Sequence, residues 1–159
     1  ANAGAEAVSS WLEEHGHPAD DIRSIVKIIS NVGFKDELVS STSSSASLEM
    51  TPEFKVVQDA DRLDAIGALG IARTFCYGGA RGDPMHVPGV EPRIHLTKEQ
   101  YVASSTGGRV CTVVNHFHEK LLRLKGMMKS DSGRRRAEGR HEFMLMYLEQ
   151  FHGEWDGDR

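Results

Sequence analysis

Apolar residues recur at helical spacing in five stretches of the chain. Nowhere do they alternate with polar residues between turn signals in the way that predicts a strand. The pattern predicts an all-α fold. The first stretch carries Ala5, Val8, Trp11 and Leu12 and ends at Gly16. The second follows Pro18 and carries Ile22, Ile25, Val26, Ile29 and Val32, an apolar face dense enough to form core. Asp20 and Asp21 fall in its first turn, where carboxylates complement the positive end of the helix dipole. Between Ser40 and Ser47 the chain is almost wholly Ser and Thr, too polar to bury, which predicts a surface loop.

Thr51-Pro52-Glu53 is a helix start: Thr51 caps free N–H groups, Pro52 suits the first helical position and Glu53 complements the dipole. The spacing predicts one long third helix from there toward Phe75. Its glycines, Gly67 and Gly70, each cost about 1 kcal/mol relative to Ala in a helix interior, so they are expected where another helix packs closely. From Tyr77 to about Gly108 glycines and the prolines Pro84, Pro88 and Pro92 predict a long loop or lid (77–108), a length that usually goes with function. Val110, Val113, Val114, Phe117, Leu121 and Leu124 mark a fourth helix. Phe143, Met144, Tyr147, Leu148 and Phe151 mark a fifth, and both are expected to pack on the third.

At 159 residues the chain is long enough for one domain and short for two. Lys and Arg total 19 against 23 Asp and Glu, a net charge of −4, so no basic field draws the chain to nucleic acid or an anionic membrane. No apolar run approaches the roughly 20 residues that span a bilayer, and the N-terminus lacks the pattern of a signal peptide. Cys76 and Cys111 have no C-x-x-C spacing, and two buried free thiols rather than a disulfide are expected, which fits a reducing, cytoplasmic compartment.

The third stretch is where chemistry concentrates. Asp59, Asp61 and Asp64 sit on an otherwise apolar, small-residue helix that looks made for burial, and a buried ionised carboxylate needs a cation, a metal or hydrogen bonds. Arg62 can serve one of them. Asp61 and Asp64 share a helical face. From the residues alone, solvated or salt-bridged carboxylates, with Arg62 and Arg73 as partners, stand beside a ligand role.

The run from Val56 through Gln58-Asp59-Ala60-Asp61-Arg62-Leu63-Asp64-Ala65-Ile66-Gly67 to Gly70-Ile71-Ala72-Arg73 resembles the last metal-ligand helix of the HD-domain superfamily of metal-dependent phosphohydrolases, in its small stand-alone branch. The likeness continues through Tyr77-Gly78-Gly79-Ala80-Arg81-Gly82, through His116-Phe117-His118-Glu119-Lys120-Leu121-Leu122, and through Arg134-Arg135-Arg136-Ala137-Glu138-Gly139-Arg140 toward Phe151 and Trp155. The resemblance implies an HD-like helical bundle and makes Asp61 a metal ligand, with Asp64 and Arg62 supporting it. It also implies a divalent ion (Mn, Fe, Co, Ni, Zn or Mg) whose bound water attacks phosphorus, so that no covalent nucleophile is needed. The family's earlier His and His-Asp doublet have no counterpart, since no His-Asp dipeptide occurs in the chain. Residues 1–159 are therefore expected to be a single HD-like domain lacking its first helices.

His116 and Lys120, four apart, share a helix face and recur in the family pattern; substrate phosphate binding and structural pairing with the third-helix carboxylates both suit them. His116 and His118, two apart, point to different faces and make a poor joint metal site. Arg81 and His86 on the predicted loop are further candidates for a phosphate. Arg134-Arg135-Arg136 reads as a solvated face. The resulting expectation is a metal-dependent phosphohydrolase acting on a small phosphorylated molecule, a nucleotide above others, with the enzyme conditional on upstream ligands. The alternative is a non-catalytic HD-like module that binds a nucleotide or a protein. An RNA-binding role lacks the basic surface it needs.

Overall fold

The polypeptide is all-helical in a computed structural model that describes residues 3–34, 50–94 and 112–158; no strand occurs among them. Two compact units divide the chain, Ala1–Gln58 and Asp59–Arg159. The Ser-rich segment predicted as a loop, Cys111 and the later part of the 77–108 segment lie outside the described residues.

In the first unit, α1 (Ala3–Glu14) and α2 (Ala19–Asn31) pack on each other and bury Ala5, Leu12 and Ile22. Trp11, predicted on the apolar face, is exposed and stacks on His15 with centroids 4.1 Å apart. The α2 face is also less buried than its pattern predicts, because only Ile22 is fully covered while Ile25, Val26, Ile29 and Val32 remain partly open. The third helix starts as expected: in α3 (Pro52–Asp64) the Thr51 hydroxyl accepts a hydrogen bond from Phe54 N at 3.2 Å.

The single long helix toward Phe75 does not form. α3 stops at Asp64, Ala65 and Ile66 leave helical geometry, and α4 (Gly67–Arg81) begins on a new axis. Ile66 takes extended backbone angles (φ −127°, ψ 166°), which carry its side chain into the core, and Gly67 has φ +75°, a conformation disfavoured for side-chain-bearing residues. Helical periodicity persists on both sides of the break, so it is silent about the break itself. Gly67 does face another helix, since a Cβ there would lie 2.9 Å from Arg140 Cγ. Gly70 serves a different purpose: a Cβ there would sit 2.3 Å from the Ala65 carbonyl oxygen, so its bareness lets α4 close against the break.

α4 also outlasts its prediction. It runs through Tyr77-Gly78-Gly79-Ala80 to Arg81, so the non-helical connection begins at Gly82 rather than Tyr77. Its described part, 82–94, is tied to α5 (Val113–Glu119): Val113 N donates to Pro84 O and Val114 N to Met85 O, both at 3.0 Å, and Asn115 Nδ2 donates to Val90 O at 2.8 Å. α5 stops short of the fourth helix predicted to reach Leu124, because Lys120 leaves helical angles (φ −136°, ψ −60°) and Leu121 and Leu124 fall in a 3₁₀ helix (Leu121–Met127). Then comes the 26-residue α6 (Asp131–Asp156), which packs along α4 as predicted for the fifth helix. Phe117, Leu121, Leu124, Ala137, Met144 and Leu148 form the core of this unit.

Of the three carboxylates, only Asp59 is buried, at 3% exposure; Asp61 and Asp64 are exposed. Asp59 is held by hydrogen-bond donors at the start of α6. It accepts from Lys129 N and Ser130 N, both at 2.8 Å, and from Ser130 Oγ at 2.6 Å, while Ser130 Oγ caps α6 by accepting from Gly133 N at 3.0 Å. Asp59→Ala should leave two backbone N–H groups unpaired and destabilise the chain by about 3 kcal/mol. Urea denaturation checks this; a loss below about 0.5 kcal/mol would mean that water replaces the carboxylate at little cost.

Candidate functional site: a polarised cavity between α4 and α5

α4 and α5 pack antiparallel. Val113, at the start of α5, meets Gly78 so closely that a Cβ there would fall 2.4 Å from Val113 Cγ2. One turn on, Phe117 meets Phe75 with ring centroids 6.1 Å apart. Lys120 and Leu121, just past the end of α5, line the same cavity as Gly70 and Arg73. Between the two helices lies a cavity of about 550 Å³. Arg73, Thr74 and Tyr77 line one wall, at the three- and four-residue spacing of one α4 face; Thr112, His116 and Lys120 line the other. Asp83 closes the end beside Tyr77. Phe75, Phe117 and Tyr147 pack on one another where α4, α5 and α6 meet.

The polar groups are unevenly distributed. Lys120 and Arg73 supply positive charge at one end, and Arg73 also pairs with Asp64. Tyr77 and Asp83 occupy the other. Arg81 holds both, its guanidinium 5.6 Å from the Tyr77 ring centroid and its Nε 3.4 Å from Asp83 Oδ2. His116 lies midway. Loss of hydration pushes its pKa down to about 4, the Lys120 charge pushes the same way, and Glu119 opposes them, so the imidazole is neutral at physiological pH. Glu119 itself turns away from the cavity toward Arg93, whose N, Nε and Nη2 donate to its carboxylate at 3.0, 3.1 and 3.3 Å.

The structure brings two of the expected site residues together and separates the others from them. His116 and Lys120 share the cavity. Asp61 is exposed on α3 and is not among the lining residues. Arg62 is buried and donates to the Met127 carbonyl, and loss of hydration lowers its pKa to about 10. Asp64 stands outside the cavity, paired with Arg73. No group of three or more His, Cys, Asp or Glu side chains that fits a metal ion occurs among the described residues, so these residues do not by themselves make a metal centre. Arg81 and His86 do not line the cavity; His86 packs edge-on against His152 and Trp155. His118, two residues past His116, is partly buried, and burial lowers its pKa. Cys76 is free, as expected, but exposed rather than buried. Tyr77 and Asp83 were hidden in the predicted loop. Extending α4 past Phe75 by its own i, i+4 register would have put Tyr77 in line with Arg73.

No family model matches the chain. It is 38% identical over 126 residues to the uncharacterized protein YpgQ of Bacillus subtilis, a match that covers 79% of this chain and 49% of YpgQ. Among solved structures, a protein of Lactobacillus plantarum is 36% identical with a TM-score of 0.80, covering 96% of this chain and 66% of that one. An HD-superfamily hydrolase of Bacillus thuringiensis is 39% identical with a TM-score of 0.65, covering 97% and 63%. YpgQ in complex with ADP is 35% identical with a TM-score of 0.65, covering 94% and 63%. The chain thus spans about half the length of the curated relative and just under two thirds of each of these structures. At these identities it shares their all-α fold, the fold of an HD-superfamily hydrolase.

Proposed function

We propose that this chain is part of an HD-type phosphohydrolase that binds a nucleotide in the α4–α5 cavity and releases phosphate or pyrophosphate from it. The observation that carries the proposal is the pairing of Lys120 with neutral His116 on one wall of a cavity that Arg73 also lines. Lys120 and Arg73 supply charge-assisted donors to phosphate oxygens, and a neutral His116 adds one N–H without a further charge. Similarity to an HD-superfamily hydrolase and to a protein crystallised with ADP supports both halves of the reading.

The divalent ion that the family resemblance implies (Mn, Fe, Co, Ni, Zn or Mg) would take Asp61 as one ligand. The described residues hold no completed ligand set around it, so this chain's own contribution is to bind and orient the substrate. The second reading, a non-catalytic nucleotide-binding module, is favoured by that same lack of a ligand set.

ADP should bind the chain, and Lys120→Ala should weaken it about ten-fold by removing one charged donor. Isothermal calorimetry of the two proteins measures this, and equal affinities would remove the phosphate end from the cavity. Titration with Mn should reveal no micromolar site; a tight 1:1 site that survives Asp61→Ala would mean that other residues hold the metal.

The lowered His116 pKa carries a stability signature. Between about pH 4 and pH 6.5 the unfolded chain binds a proton at this residue that the folded chain does not, so stability rises with pH through that window and is lost as pH falls. His116→Gln should flatten the rise by at most about 3 kcal/mol. Denaturation midpoints measured across the window decide it; an unchanged slope would place His116 in water.

A further inference from the structure

The antiparallel packing of α4 and α5 sorts the cavity into two chemically different ends, and the end opposite Lys120 has no part in the phosphate binding proposed above. Tyr77 there keeps 66% of its surface open although it lines the cavity. An open ring at a cavity wall contributes little to the core. Its position is nevertheless held: Arg81, one turn on, lies over it at 5.6 Å and donates to its hydroxyl at 3.4 Å. The same guanidinium engages Asp83 through Oδ2, which leaves the other carboxylate oxygen available as an acceptor. The backbone of Asp83 is fixed as well, because its N–H donates to Gly78 O at 2.9 Å at the end of α4 and the following residue, Pro84, accepts from Val113 N.

We infer that the Tyr77–Asp83 end is the nucleoside end of the site: the Tyr77 ring stacks on the base, and Asp83 accepts a hydrogen bond from a sugar hydroxyl. The inference rests on the nucleotide reading and adds orientation and selectivity to it. The ligand runs along α4 with its phosphates toward Lys120 and Arg73 and its base toward the helix C-terminus. An exposed aromatic face binds any base, since every base presents a π-face, so selection here is for nucleotides over other phosphorylated molecules rather than for one base. A carboxylate at the phosphate end would repel the ligand; at the sugar end it meets donors.

The test uses calorimetric titration with ADP and displacement of bound ADP by inorganic pyrophosphate, which lacks base and sugar. Tyr77→Ala should weaken ADP about ten-fold or more and leave pyrophosphate unaffected, and Tyr77→Phe should restore ADP binding, because stacking needs the ring and not the hydroxyl. ADP lacking its ribose hydroxyls should bind more weakly than ADP, a preference that Asp83→Ala should erase. Unchanged ADP affinity in Tyr77→Ala, with Lys120→Ala still weakening it, overturns the nucleoside end alone. An equal loss for ADP and pyrophosphate in Tyr77→Ala also overturns it, since the ring would then only support the wall. Absence of ADP binding to the unaltered chain overturns the nucleotide reading and this inference together.

Discussion

The packing of the larger unit depends on how one buried carboxylate is satisfied. Asp59 takes the backbone N–H groups of Lys129 and Ser130 together with the Ser130 hydroxyl. These donors lie at the turn that starts α6, so the end of α3 is bound to the beginning of the longest helix. Two arginines repeat the link nearby, Arg62 to the Met127 carbonyl and Arg140 to the Leu63 carbonyl. Each joins a helix-end carbonyl or turn to a side chain from the other segment. Breaking such a buried contact leaves a polar group without water or partner, which costs more than the bond contributes when made. Position therefore follows from polar satisfaction as much as from apolar burial.

That junction sets the geometry of the cavity indirectly. With α6 anchored at its start, its length lies along α4, and Tyr147 and Phe151 pack against Phe75. Phe75 in turn receives Phe117 and fixes the level of α5. The cavity walls are thus two helices whose register is held by the packing of Phe117 on Phe75, which suits a site that must keep charged groups apart by a fixed distance. The segment after α4 adds a second restraint, since its carbonyls accept from the first residues of α5 and its Arg93 occupies Glu119. Without that partner, Glu119 would set a negative charge close to Lys120 and His116.

The cavity and Asp61 are two separate features of the described structure. Cationic and neutral donors line the first, while the second is an exposed carboxylate on α3. The phosphohydrolase proposed above would need both a place for the phosphate and a means of activating water, and the cavity would serve only the first. The relatives are longer than this chain, so an activity found for a whole relative belongs to more polypeptide than is present here.

Helix content, the apolar faces of α5 and α6 and the Thr51 cap follow from local rules, namely 3.6-residue periodicity and capping chemistry, and were legible in the sequence, whereas His116 and Lys120 meet in the cavity with Lys120 already past the end of α5. The HD-type resemblance was legible too, because motif order survives without coordinates. The break at Ala65-Ile66 was not, since the apolar period continues through it and the decision rests on Ile66 entering the core and Gly67 adopting positive φ. Which of three adjacent aspartates is buried was equally undetermined: Asp59 is selected by donors about 70 residues away in sequence. Glycines at 78 and 79 pointed to a loop where tertiary packing demanded a helix, because Gly78 admits the Val113 side chain. The polarity of the cavity needed the antiparallel register of two helices, and register is set by contacts between segments that no local pattern encodes.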